Sequence, residues 1–157
     1  KEKETETEKK SDIVAGFAED GTYTSAKGYS IKLPAGWTEI SASEVMDALS
    51  DASGNNVTFI SMASDAQFKM ADEAFFKDTY IPSLGDAVDF KSYELVEISG
   101  HKAHKLKFTN TAGTMVMHQS QAFIEVDGDI FMFTYTDIDG SHPEVFENAM
   151  DSLIIID

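Results

Sequence analysis

The sequence predicts an α+β fold in which helices pack on a largely antiparallel, twisted sheet of about six to seven strands. The first supporting observation is a series of alternating hydrophobic runs joined by short turns, with Asp127-Gly128 as the strongest hairpin signal. The second is a strand, Tyr29–Leu33, that enters a Pro-Ala-Gly turn and ends at Trp37, the only tryptophan. The third is an amphipathic run near the end of the chain. Strands joined by short hairpins pair antiparallel, so these observations together define the class.

Period-two alternation places the strands along the chain. They are expected at Thr22–Ser25, Tyr29–Leu33, Val57–Met62, Phe90–Ile98, Ala103–Asn110, Met115–Val126 and Ile130–Thr136. Phe131, Phe133 and Tyr135 share one face of the last strand, and Ile130 and Met132 share the other. Both faces of the sheet are therefore expected to need cover.

Two helices are expected before this meander. The first follows Trp37: Ser41 or Ser43 supplies the cap, an apolar face begins at Val45, and residues 54–56 form the stop. The second is expected from about Asp72 to Tyr80, with Pro82 marking an exit or a kink.

A third helix is expected at the end of the chain. Ser141-His142-Pro143-Glu144 has the pattern of a capping box with proline in the first turn. The apolar stripe that should pack on the sheet comprises Val145, Phe146, Ala149, Met150, Leu153 and Ile154.

The charge distribution restricts the classes of partner. Residues 1–10 contain four lysines and four glutamates, so the net charge of −16 comes entirely from the rest of the chain, which has no arginine. Such an acidic domain is repelled by nucleic-acid phosphates and by anionic lipid headgroups. Cationic partners, either basic protein surfaces or divalent metals, remain open.

The composition predicts one folded unit behind a charged tail. Residues 1–12 have no apolar member and are expected to be a disordered tether, and residues 13–157 are expected to be a single domain. The chain has no cysteine, which excludes disulfides and thiolate sites within it. No apolar run is long enough to span a bilayer.

The order of these elements, with the motif Leu33-Pro34-Ala35-Gly36-Trp37, resembles the PsbP/Mog1-like fold over roughly residues 20–156. Within that fold, the Lys/Glu/Thr-rich start of the chain resembles the spacer of small Gram-positive lipoproteins. The resemblance implies non-enzymatic association with a protein or small ligand. It also implies a lipidated cysteine upstream of Lys1 and a position at the outer face of the cytoplasmic membrane. A monomer is expected, and the resemblance transfers no functional residues.

Two groups of residues are candidate sites. An apolar groove rimmed by acids would suit a small ligand or partner peptide, and we expect it near Trp37, Tyr29 and Tyr80. The alternative function is a divalent-metal or enzymatic site in the loop before the last helix. There Asp137, Asp139, His142 and Glu144 offer oxygen and imidazole ligands for Ca²⁺, Mn²⁺ or Zn²⁺.

The same loop also has a purely structural interpretation. Asp139-Gly140 is a turn signal, and acids are favoured near a helix N-terminus by the helix dipole.

The chain contains no Gly-x-Ser-x-Gly, P-loop or His-Glu-x-x-His motif. We therefore predict that the protein is not an enzyme and requires no cofactor.

Overall fold

The fold was analysed in a computed structural model that describes residues 13–156. The predicted tether, residues 1–12, lies outside the described residues, as does Asp157. The strands are β1 Gly16–Phe17, β2 Thr22–Ser25, β3 Tyr29–Lys32, β4 Thr38–Ala42, β5 Met46–Ser50, β6 Asn56–Ala63, β7 Val88–Ile98, β8 His101–Ala112, β9 Met115–Val126, β10 Asp129–Asp137 and β11 Ile154–Ile155. The helices are α1 Ala66–Lys69, α2 Glu73–Phe75, the π-helical turn π1 Phe76–Tyr80, α3 Ile81–Ser83 and α4 Glu144–Ser152.

The strands form two antiparallel sheets, which confirms the predicted α+β class. The smaller sheet has the order β1-β2-β3-β11, and the larger has the order β4-β5-β6-β10-β9-β8-β7. The predicted hairpin at Asp127-Gly128 is confirmed. Asp127 has φ of 50° and Gly128 has φ of 87°, and two positive φ angles are what the tight turn between twisted strands requires.

The helix expected after Trp37 is wrong, because this segment forms the hairpin of β4 and β5. Ser43 caps a turn instead of a helix: its hydroxyl oxygen accepts the backbone N–H groups of Val45 and Met46 at 3.3 and 3.1 Å. Leu49 is buried as expected, but so is Asp47, which alternation along a strand places on the same face. Tertiary contacts of Asp47 therefore override the local helix signal.

The second predicted helix is confirmed in position but differs in form. Residues 73–83 are helical throughout, with a π-helical turn in the middle, and the helix continues through Pro82. Asp72 caps its start by accepting the N–H of Phe75 at 2.9 Å. None of the helices within residues 13–156 is long and apolar enough to cross a membrane.

The last helix is confirmed, but its predicted capping box is wrong. The helix begins at Glu144 after Pro143, and no side chain caps it. The Ser141 hydroxyl donates to Asp139 at 2.6 Å instead, and the N–H of His142 donates to Asp137 at 2.8 Å. An aspartate at the end of β10 thus takes over the local hydrogen bonding that the box was expected to supply.

The larger sheet has a hydrophobic core on each face, as the alternation of β10 predicts. On one face, the smaller sheet and α4 pack against Phe131, Phe133 and Tyr135. On the other face, the helical segment 66–84 packs against Ile130 and Met132. The larger sheet therefore separates two hydrophobic cores. A surface site formed beside either core lies on one side of this sheet.

Candidate binding site around Pro34

Two surface cavities meet at Pro34, on the side of the molecule that carries the smaller sheet. The first has a volume of about 260 Å³ and lies between residues 17–21 and residues 34–37. The second has a volume of about 420 Å³ and lies between the end of β3 and α4. Its lining residues are Lys32, Leu33, Pro34, Glu144, Val145, Asn148 and Ser152. We call the two cavities together the Pro34 site.

Close backbone contact between two turns shapes the first cavity. The N–H of Leu33 donates to the carbonyl of Gly21 at 3.0 Å, which holds the β1–β2 turn against the end of β3. Gly21 has φ of 92°, and a Cβ at this position would lie 2.5 Å from the Leu33 carbonyl oxygen. Gly36, with φ of 93°, reverses the chain so that Trp37 returns to the core. Glycine is thus required on one side of the cavity and favoured on the other.

The Pro34 site combines apolar walls with a mostly acidic rim. Phe17, Pro34 and Trp37 line the first cavity, where Glu19 and Asp20 are exposed and no basic residue contributes. The hydrogen bond from the backbone N–H of Thr22 to Asp20, at 2.9 Å, lowers the pKa of that carboxyl group. The rim of the first cavity therefore holds two exposed carboxyl groups, and the ionised form of Asp20 is stabilised by this hydrogen bond.

The second cavity contains a hydroxyl group that is engaged by two backbone groups. Its hydroxyl group, on Ser152, accepts the N–H of Lys32 at 2.8 Å and donates to the carbonyl of Ala149 at 3.0 Å. The hydroxyl therefore fastens α4 to β3, and its proton is bonded to a carbonyl oxygen. A nucleophile would need a partner that withdraws its proton.

The structure separates the three aromatic residues expected at a groove. Trp37 lines the first cavity, although most of its ring is buried and lies 6.4 Å from the ring of Tyr135. Tyr29 is 1% exposed in the same core. Tyr80 lies on the opposite face of the larger sheet, where its hydroxyl donates to Gln121 at 2.9 Å. Of the three, Trp37 alone lies at the Pro34 site.

The structure brings together three of the four candidate metal ligands. Ligand atoms of Asp137, Asp139 and His142 lie within 4.8 Å of one another, and Glu144 is not part of this group. Hydrogen bonds within the loop already engage the group: Asp137 accepts the N–H of Gly140 at 3.0 Å, and Asp139 accepts the Ser141 hydroxyl. The hydrogen bonds from Ser141 also lower the pKa of Asp139. A cation would have to compete with these bonds.

A buried carboxylate that the sequence did not reveal links the two sheets. Asp47 on β5 is 2% exposed and accepts hydrogen bonds at 2.7 Å from Ser25 and Tyr29 on the smaller sheet and from Lys27 in the turn between β2 and β3. Burial raises the pKa of the Tyr29 phenol, and the negative charge of Asp47 raises it further. A polar residue at an inward position of a strand was the available signal, but the helical interpretation of the segment concealed it.

A buried histidine lies on the opposite face of the larger sheet. His104 is 0% exposed, and its Nδ1 lies 2.8 Å from the hydroxyl of Tyr93. Its Nε2 lies 3.8 Å from Glu125 Oε2, and both of these atoms lack a hydrogen-bond partner within residues 13–156. Burial lowers the pKa of His104, and Lys102 acts in the same direction. The imidazole is therefore neutral at physiological pH.

Comparison with solved structures identifies the fold. Over 91% of its length, the chain is similar to cyanobacterial PsbP (CyanoP) from Synechocystis sp. PCC 6803, with a TM-score of 0.70, 14% identity and 97% of that chain covered. It is also similar to the Ran-binding protein Mog1p of Saccharomyces cerevisiae, with a TM-score of 0.62, 7% identity, and 83% and 91% of the two chains covered. LpqN of Mycobacterium tuberculosis matches with a TM-score of 0.52, 13% identity, and 82% and 83% coverage.

No protein-family model matches the chain, and no curated protein sequence matches it either. The similarity to solved structures therefore shows the fold: the chain has the PsbP/Mog1-like fold that the motif Leu33–Trp37 and the order of elements predicted.

Proposed function

We propose that the chain is a non-catalytic binding module and that its Pro34 site holds a partner segment combining an apolar side chain with positive charge. The observation that carries this proposal is the first cavity, where Trp37, Phe17 and Pro34 form apolar walls beside the carboxylates of Glu19 and Asp20. An apolar side chain gains free energy by leaving water, and an adjacent cation gains from the acidic rim. The net charge of −16 would speed the approach of a basic partner.

The similar structures agree with association as the function. Mog1p is described as a Ran-binding protein, and LpqN is described as involved in cell envelope biogenesis. Neither description requires catalysis, and the hydroxyl of Ser152 is held between two backbone groups. These observations support a binding module.

A displayed-peptide selection tests the proposal. Peptides enriched on the protein should carry Lys or Arg beside an aliphatic or aromatic residue. Glu19→Lys should weaken their binding by about tenfold or more, because it reverses one rim charge. The matched control is Asp129→Lys, which makes the same charge change at an exposed position on the β9–β10 hairpin. Equal affinity for both variants would show that the peptides bind outside the Pro34 site.

The proposed location is the outer face of the cytoplasmic membrane, with a lipid anchor attached upstream of Lys1. The support is the Lys/Glu/Thr-rich composition of residues 1–10, which is typical of a lipoprotein spacer. The encoded residues before Lys1 test this directly. A hydrophobic leader ending in a small-residue lipobox and a cysteine is expected, and continuous soluble sequence would contradict the location.

Divalent-metal binding is the second candidate function, supported by the cluster of Asp137, Asp139 and His142. Titration with Mn²⁺, Ca²⁺ and Zn²⁺ by calorimetry distinguishes it from the first. Submicromolar binding that is lost in Asp139→Ala would establish a metal site. Absence of binding would leave the loop with the structural role that its hydrogen bonds already provide.

A further inference from the structure

A second surface, independent of the Pro34 site, lies on the opposite face of the larger sheet. Antiparallel Cα partners point to the same face, so the strand registers align the side chains in rows. One row is Thr38, Ser50, Asn56, Thr136 and Gln119, and the next is Ser41, Ala48, Thr58, Thr134 and Gln121. We call these ten positions the polar grid. The grid spans β4, β5, β6, β10 and β9.

The polar grid contains no charged residue, although 25% of the chain is charged. A solvated face of an acidic domain is expected to carry part of that charge. Nine of the ten positions instead hold a hydroxyl or a carboxamide, and Ala48 is the exception. The side chains can therefore donate and accept hydrogen bonds but offer no partner to an ion.

The helical segment that covers this face leaves seven of the ten positions of the polar grid at least partly accessible. Phe76 packs on Phe123 and His104, with ring centroids 5.4 and 5.0 Å away, and so covers the other half of the face. The helical segment contacts the border of the grid, where the Tyr80 hydroxyl donates to Gln121. Thr38 and Ser41 are exposed, Ser50, Asn56, Thr58, Thr134 and Gln119 are half-buried, and Ala48, Thr136 and Gln121 are buried.

Hydrogen bonds within the grid hold its two glutamine amides in fixed orientations. Gln119 Nε2 donates to the Thr136 hydroxyl at 2.9 Å, and Gln121 Nε2 donates to the Thr134 hydroxyl at 3.0 Å. Each threonine thereby acts as an acceptor and retains its own hydroxyl proton for a further bond. Because these side chains are already ordered, a ligand would lose less side-chain entropy on binding.

An apolar row borders the polar grid. Met46, Ile60 and Met132 are cross-strand partners in the next row along the strands. Met46 is 36% exposed, and Ile60 and Met132 are half-buried. A ligand lying across the boundary would meet hydrogen-bonding groups on one side and an apolar strip on the other.

We propose that the polar grid binds a neutral polyhydroxylated ligand, specifically an uncharged oligosaccharide. A sugar ring has hydroxyl groups on its rim and C–H groups on its faces, which matches two polar rows beside an apolar one. A charged ligand would find no counter-charge, and a purely apolar ligand would leave the hydroxyls and amides without partners. Five strands ~4.8 Å apart give a width of ~19 Å, enough for several sugar rings in a row.

NMR titration of the isotope-labelled protein with maltohexaose, cellohexaose and chitohexaose tests this inference. At least one of these oligosaccharides should cause saturable shifts of backbone amides in β4, β5, β6, β9 and β10 at concentrations up to about 10 mM. No shifts with any of the three would overturn the proposal. Shifts centred on the Pro34 site would overturn it too, while leaving the proposed function standing.

Two variants link binding to the grid. Thr58→Lys places an ammonium group in the centre of the surface and should weaken oligosaccharide binding about tenfold or more. Thr114→Lys makes the same change at the exposed β8–β9 turn and should have no effect. Ser41→Lys, on the exposed edge strand, repeats the test if the Thr58 variant does not fold. Equal binding by the grid variants and the turn variant would refute the assignment.

Discussion

Replacement of Asp47 by alanine should destabilise the protein far more than replacement of an exposed aspartate. Asp47 accepts hydrogen bonds from Ser25, Lys27 and Tyr29, and all three donors lie in the β2–β3 hairpin of the other sheet. Removing the carboxylate leaves the hydroxyl of Tyr29 buried without its partner, at a cost of about 1–3 kcal/mol. The loss of the ion pair with Lys27, whose side chain is 19% exposed, adds to that cost. Together these effects give an expected loss of about 3–5 kcal/mol.

Urea denaturation followed by circular dichroism measures this loss. With an m-value of about 2 kcal/mol/M, Asp47→Ala should lower the unfolding midpoint by about 2 M. Asp89→Ala, at an exposed position on β7, is the matched control and should change the midpoint little. Tyr29→Phe removes one of the three donors and should cost about 1.5–3 kcal/mol. A loss below about 1 kcal/mol for Asp47→Ala would refute the view that this carboxylate holds the two sheets together.

Two further predictions concern a buried base and a constrained glycine. Because burial lowers the folded-state pKa of His104 below its ordinary value of about 6.5, the folded state binds fewer protons than the unfolded state. Stability should therefore be complete above about pH 6.5 and fall as the pH decreases below it. His104→Gln should flatten this part of a profile of melting temperature against pH, and an unchanged slope would contradict it. Gly21→Ala should cost at least about 1–3 kcal/mol, since its Cβ would lie 2.5 Å from the Leu33 carbonyl oxygen. Gly16→Ala, where φ is also positive but no atom lies within 4 Å, should cost less in the same urea titration.

The sequence predicted the meander because its signals are local. Alternation along β9 and β10 and the Asp127-Gly128 turn depend on neighbouring residues, and both are confirmed. The double-sided burial of β10 followed from the same alternation. The turn and the hydrophobic pattern together specify a single strand pairing in this part of the chain.

The segment after Trp37 was mispredicted because a distant contact decides it. Val45 and Leu49 are four residues apart, a spacing that fits one face of a helix and also one face of a strand. What selects the strand is Asp47, whose partners Ser25 and Tyr29 lie earlier in the chain and on the other sheet. A local pattern contains no information about such partners.

Only one residue of the Pro34 site was expected at a groove, because distant contacts shape this site too. Trp37 was expected at a groove and lines the first cavity, whereas the wall from Phe17 to Gly21 was not anticipated. That wall depends on the hydrogen bond between Leu33 and Gly21, which joins two turns that are not consecutive. The polar grid arises likewise from the register of five strands and is invisible in any single one of them.

The position of β10 between two cores has a consequence for how this chain can change. Phe131, Phe133 and Tyr135 fill one core, and Ile130 and Met132 face the other. In a sheet with one solvent-exposed face, every second residue of a strand can be substituted at little cost. Almost none of the nine residues of β10 has this freedom. Each substitution in β10 must suit a packing arrangement that the opposite side of the sheet also constrains. Substitutions in β10 therefore couple the packing of one core to the packing of the other.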